Sequence, residues 1–300
     1  GKRIAGALES LLGQHAVAKE RYEIIVVDDG SCDETERAAA DFIIHHPDHR
    51  MLLLRLNKNR GPSYARNIGL LHARGTFIAF TDDDCVVPED WLEKFYDAFK
   101  KNPEIAGVGG WYTTNDSGET IFDKTIAGHP SAGVSRPFKS TGLHTINFNS
   151  CGNTANVCYR KSIVTSIGGF NHYYVYPSFD DWELKIRLHL NHFPLLAHLH
   201  PVHHQKHLSL YGFIRYGLVR GWARFLTYKL HGVFPRKYRV SLVNMLSLFV
   251  ADVCYLITNK DQTQALSLYE KTGFIFAAFV LRMALWWGKY WTPLKIMFRD

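Results

Sequence analysis

Acidic side chains are missing from a long interval: no Asp or Glu occurs between Glu183 and Asp252. Lys185, Arg187, Lys206, Arg215, Arg220, Arg224, Lys229, Arg236, Lys237 and Arg239 all fall inside it, so the formal net charge of +7 is concentrated there. Such a block favours an anionic partner, either phosphates or an acidic membrane surface. Cysteine is also scarce. The five residues Cys32, Cys85, Cys151, Cys158 and Cys254 are odd in number and contain no C-x-x-C pair. A chain of this size does not need disulfide staples, and a reducing cytosolic setting fits this usage. No initiating methionine, signal peptide or opening strand precedes the first helix, so the sequence is expected to begin inside a fold.

Clean hydrophobic runs are lacking too. The stretch 240–258 carries Asn244 and Asp252, and 273–291 carries Arg282. A membrane-crossing helix wants about 20 predominantly apolar residues. Interfacial lying, helped by Trp286, Trp287, Tyr290 and Trp291, is therefore expected over true spanning; a buried helical pair is the other reading. There is no internal repeat, no low-complexity tract and no recognisable nucleic-acid reader motif, so no nucleic-acid partner is expected.

What is present is enough for a core: 300 residues with 46% hydrophobic content. Ile4, Ala7, Leu8, Leu11 and Leu12 mark one face of an opening helix. Beyond it, strands are expected over 24–27, 51–56, 76–81 and 105–109, with helices over 33–45, 63–74 and 90–101 between them. Alternation of this kind predicts βαβ crossovers and a largely parallel sheet. Residues 112–150, rich in Gly, Thr, Ser and Asn, read as a long loop. Structure resumes at 155–159, in a short helix from Lys161, and in a stronger helix over 181–189. The expected domains are an α/β domain over 1–210 and a basic, apolar helical extension over 211–300.

Two strands end in carboxylates. Residues 76–81 run into Asp82-Asp83-Asp84, whose mutual repulsion calls for a hard cation. In extended backbone Asp82 and Asp84 share a side. A helix-capping acidic turn is the alternative. Residues 24–27 lead into Asp28-Asp29-Gly30-Ser31, where a carboxylate can accept from a nucleobase or ribose, or simply form a turn. Between them, Arg66 offers a planar fork suited to phosphate, with Asn67 beside it. Asp180, Asp181 and Glu183 crowd a helix start, either as a cap or with a general base among them. Histidines gather at His198, His200, His203, His204 and His207, where His198 and His200 could share one face of a strand and imidazoles beside a basic block read as polar surface.

The ordered set Glu23 through Ser31, Asn59 through Gly69, Phe80 through Asp84, Gly152-Asn153-Thr154-Ala155-Asn156, Tyr159-Arg160-Lys161, Gly168-Gly169-Phe170-Asn171 and Phe179 through Leu184 resembles the family 2 inverting glycosyltransferases of GT-A fold. The resemblance implies an α/β GT-A domain with a mixed, mostly parallel sheet flanked by helices. It implies Asp181 as catalytic base, Asp29 at the base of the nucleotide, and Arg66 at its diphosphate. Asn67, Asp82, Asp83, Asp180 and Trp182 join them at the substrate. Asp84, with Asp82 and either His203 or His204, would hold Mg²⁺ or Mn²⁺. The implied partners are a nucleotide-diphosphate sugar, with a UDP-sugar favoured, and a glycan or lipid-linked acceptor at the cytoplasmic face of a membrane. Arg215-Tyr216-Gly217 matches the family's basic helix, and the Q-x-x-R-W run of processive synthases is not found. Family members open with an apolar strand and a Pro-Thr-Tyr-Asn-like turn, and this sequence starts after that point, which suggests a fragment. A non-catalytic GT-A-like scaffold and a metal-dependent nucleotidyltransferase are the competing readings.

Overall fold

The computed structural model describes residues 2–114, 142–144, 153–176, 179–197, 201–205 and 209–232, with single helical positions at 276, 279, 280, 283 and 287. The chain divides into two compact units, Gly1–Asn115 with Ser135–Gln205, and Asp116–Val134 with Lys206–Asp300.

The first unit opens with α1 (Lys2–Leu12), whose Ile4 and Leu8 are buried on the expected face. β1 (Ile24–Asp28), α2 (Thr35–His45) and β2 (Met51–Arg55) form a βαβ unit in which β1 and β2 pair in parallel. Ile4, Leu8, Ile24 and Ala39 are the buried heart of this layer. α3 (Pro62–His72) starts with proline at its first turn, where a missing N–H costs nothing. β3 (Phe77–Phe80) and the two-residue β4 (Cys85–Val86) flank the acidic run. α4 (Trp91–Lys101) buries Trp91, Phe95, Ala98 and Phe99 on one side, with Glu93 in its first turn and Lys100 and Lys101 in its last, complementing the helix dipole.

β5 (Gly107–Gly109), β6 (Tyr112–Thr114), β7 (Gly142–His144) and β8 (Val157–Arg160) follow. Then come α5 (Lys161–Ser166), α6 (Asp180–Leu190), β9 (Leu195–Ala197) and β10 (Val202–His204). The described strands make a pair, β1-β2, a three-stranded sheet, β4-β10-β6, and a five-stranded sheet, β3-β8-β5-β9-β7. The core of the five-stranded sheet lies between Val157, Tyr159, Phe80, Leu184 and Leu188 on one side and Trp91, Phe99, Val108 and Cys158 on the other.

Two expectations need correction. The sheets are mixed, as the family resemblance implies, but the largely parallel pairing expected from the βαβ alternation does not hold throughout. β8 runs antiparallel to both β3 and β5, β7 to β9 and β10 to β4, whereas β1-β2, β5-β9 and β6-β10 are parallel. Residues 112–150 are likewise not all loop, since β6 and β7 lie within them. Three-residue strands carry no periodicity that a sequence pattern could register.

In the second unit the described element is α7 (Leu210–His231), which buries Phe213, Val219, Trp222 and Ala223 and exposes Leu210, Tyr211 and Ile214. Among the described residues no helix is long and apolar enough to cross a membrane. The stretch 240–258 lies outside the described residues, as do His198, His200, His207 and most of 273–291.

Candidate active site

Asp82-Asp83-Asp84 form a turn rather than extended backbone: the Cys85 N–H donates to the Asp82 carbonyl at 3.1 Å. The turn nevertheless brings Asp82 and Asp84 together. Their side chains differ in exposure, 35% for Asp82, 51% for Asp83 and 10% for Asp84, which makes Asp84 the inward member. Burial, then the neighbouring Asp84, raise the Asp83 carboxyl above its usual range against the opposing pull of Arg3. Arg3 on α1 approaches Asp84 at 3.7 Å and Asp83 at 4.0 Å.

β10 completes this corner. It lies antiparallel to β4 with His204 opposite Cys85 and His203 opposite Val86, and the Gln205 N–H donates to the Asp84 carbonyl at 2.7 Å. Residues directly opposite in an antiparallel pair share a face. His204 therefore turns to the carboxylates, with Nε2 3.3 Å from an Asp84 oxygen. His203 points the other way, its Nδ1 3.4 Å from the Thr113 hydroxyl and its Nε2 buried with no hydrogen-bond partner among the described residues. The donor atoms of Asp82, Asp84, Cys85 and His204 all lie within 4.8 Å of one another. Carboxylate and imidazole donors gathered this closely fit a divalent cation.

The second cluster is built on Arg66 of α3. One guanidinium nitrogen donates to Asp180 and another to Asp82, the latter at 3.2 Å. Burial opposes the charge on Arg66, but Asp180, Asp82 and Asp181 outweigh it, so its pKa is raised. Arg66 thus links the acidic turn to the start of α6. On the far side of that link, burial raises the Asp180 carboxyl to about 6, with Arg66 pulling it down and Asp181 and Asp82 pushing it up. The neighbouring Asp181 has Lys185, one helical turn on and buried, at 3.6 Å. Phe179, just before them, sits in the left-handed region at φ 64°, an uncommon conformation for a bulky residue.

The remaining expected residues divide. Asn67 exchanges two hydrogen bonds with the Phe170 backbone, both at 2.8 Å, so its amide fastens α3 to the turn ahead of α6. Gly169, at φ 69°, has no room for a Cβ against that amide. Asp29 accepts the backbone N–H groups of Arg60 and Gly61, each at 2.7 Å, and thereby shapes the turn before α3. Trp182 is partly buried and stacks obliquely on Phe179, with ring centroids 5.2 Å apart.

Three contributors escaped the sequence reading. Arg187 clasps buried Glu183 through bonds of 2.7 and 2.9 Å and caps the Ile167 and Gly169 carbonyls at 2.6 Å each. It and Lys185 stand four residues after an acid, a spacing that announces helical pairs. Cys85 had no such signal, because the register of β10 alone puts it at the cluster.

An acidic turn, an imidazole from a late strand and a carboxylate-rich helix start meeting beside an α/β sheet define a GT-A-type fold. The mannosyltransferase PcManGT from Pyrobaculum calidifontis, solved with GDP-Man and Mn²⁺, shares this fold with a TM-score of 0.61 at 16% identity, over 97% of this chain and 84% of that one. TarS 1-349 of S. aureus, solved with UDP-GlcNAc, gives a TM-score of 0.53 at 15% identity, over 98% of this chain and 88% of that one. Residues 1–167 match the Glycosyl transferase family 2 profile, and the chain belongs to that family.

Curated relatives include the glucosyl-dolichyl phosphate glucuronosyltransferase of Haloferax volcanii, 28% identical over 173 residues, which are 55% of this chain and 50% of the relative. The succinoglycan biosynthesis protein ExoO of Rhizobium meliloti is 43% identical over 91 residues, 30% of this chain and 24% of its own. The minor teichoic acid biosynthesis protein GgaA of Bacillus subtilis is 34% identical over 116 residues, 37% of this chain and 26% of its own. The chain spans half or less of the length of these relatives.

Proposed function

We propose that this chain transfers a glycosyl group from a nucleotide-diphosphate sugar to an acceptor hydroxyl, with inversion and with Asp181 as general base. The observation that carries the reading is the Arg66 bridge, because one guanidinium holds both Asp82 of the acidic turn and Asp180 beside the base. Asp181 takes the acceptor proton as the acceptor oxygen bonds to the anomeric carbon and the bond to the diphosphate oxygen breaks. A single attack opposite the leaving group inverts the centre. Lys185 beside Asp181 keeps a positive charge against the carboxylate before the proton arrives. Asp82, Asp84 and His204 would hold Mg²⁺ or Mn²⁺, which when bound supplies charge neutralisation for the departing diphosphate.

UDP-sugars are the donors to test first and GDP-mannose second. The acceptor class is a glycan or lipid-linked saccharide at the cytoplasmic face of a membrane. Relatives named for dolichyl phosphate and teichoic acid chemistry support this, and so do the cationic residues after Glu183.

The test is nucleoside diphosphate release from a panel of nucleotide sugars, with Mn²⁺ and with chelator, for the full chain and for Asp181→Asn. Asp181→Asn is expected to lower turnover by about a hundred- to ten-thousand-fold, the usual contribution of a positioned base, while donor binding is retained. Equal turnover of the two proteins would remove Asp181 from the reaction. Pyrophosphate release would instead identify a nucleotidyltransferase.

A further inference from the structure

The pairing of β4 with β10 brings a thiol, as well as an imidazole, to the acidic turn. Cys85 and His204 are directly opposite in the antiparallel register, so their side chains leave the sheet on one face. The sulfur is 4.0 Å from the Asp84 oxygen that His204 approaches at 3.3 Å. It lies within 4.8 Å of every other donor atom of the cluster. Cys85 is 1% exposed, so this thiol is shielded from bulk solvent.

We propose that Cys85 is a fourth protein ligand at the cation site, giving it a second mode in which a thiophilic cation such as Zn²⁺ or Cd²⁺ is held through sulfur. The inference rests on the cation site of the proposed function and adds a donor to it. Hard cations take oxygen donors and leave the thiol protonated. Softer ones select thiolate and imidazole, and two carboxylates, one imidazole and one thiolate supply the four ligands of a closed zinc-type site. In that mode the sulfur–cation bond forms as the S–H proton leaves to the buffer, one proton for each cation bound. A shell of four protein ligands leaves no open position for a diphosphate oxygen, so a thiophilic cation occupies the site and blocks the donor.

Titration of the metal-free protein with Cd²⁺, followed by the ultraviolet sulfur-to-cadmium charge-transfer absorption, tests this directly against Cys85→Ser and Cys85→Ala. The other cysteines contribute equally to all three proteins and cancel in the difference. Wild type should show an added band that saturates at one Cd²⁺ per chain. Both variants should lose it and bind Zn²⁺ at least about tenfold more weakly. Mn²⁺ affinity, read from the paramagnetic resonance of free Mn²⁺, should change little in either variant. If the charge-transfer spectra of wild type and both folded variants coincide while Mn²⁺ binds normally, Cys85 only packs and the proposal falls. If neither cation binds and Asp84→Asn alters nothing, the cation site itself falls.

Discussion

Arg66 faces three carboxylates, Asp82, Asp180 and Asp181, with one positive charge to share. The balance is settled at Asp180, where burial outweighs the arginine and lifts the carboxyl from 3.8 to about 6. A carboxyl raised in the folded state binds its proton more tightly there than in the unfolded chain. Its stabilising contribution is therefore complete below 3.8 and is lost as pH rises through about 6. In chelator, the stability advantage of wild type over Asp180→Asn should shrink across that window, as read from urea midpoints. An advantage that grows with pH would mean that the Arg66 pair, not burial, governs this group. The residues expected in this cluster were legible as acidic strand and helix ends, but their partners were not. Arg66 reads in sequence as a phosphate ligand because nothing local reveals that Asp180, far along the chain, will come within its reach.

At the scale of elements, α6 is the piece on whose position the proposed chemistry depends. Its first turn carries Asp180, Asp181 and Glu183, and its last turn Arg187 and His189, an order that suits the helix dipole. Glu183 is fully buried and meets Arg187 in a two-pronged pair that also ties α6 to the glycine turn ahead of it. Removing one member of a buried pair strands the other. Glu183→Ala should accordingly cost about 3–5 kcal/mol in denaturant unfolding and lower transfer along with stability. Helices such as α4 and α6 announce themselves because several turns repeat one pattern. β4, β6 and β10, of two or three residues, do not. Their existence depends on partners distant in sequence, and the mixed sheet order depends on them.

For the whole molecule, a ligand that binds only the folded chain must stabilise it. Mn²⁺ at a hundred times its dissociation constant should add about 2.7 kcal/mol, visible as a raised unfolding midpoint. Asp84→Asn and His204→Ala should abolish that increment, whereas His203→Ala should keep it; an unchanged increment in Asp84→Asn would displace the cation from this corner. The sequence by itself determined the α/β class, the order of the long elements, the acidic strand ends and the resemblance to a glycosyltransferase family, because these reside in local periodicity and ordered motifs. Only the tertiary structure turned His204 rather than His203 to the acidic turn, gave Arg66 its carboxylate partners and brought the Cys85 sulfur beside Asp84. The reason is register: side chains alternate faces every residue along a strand, so which face meets the site is undefined until the partner strand is in place.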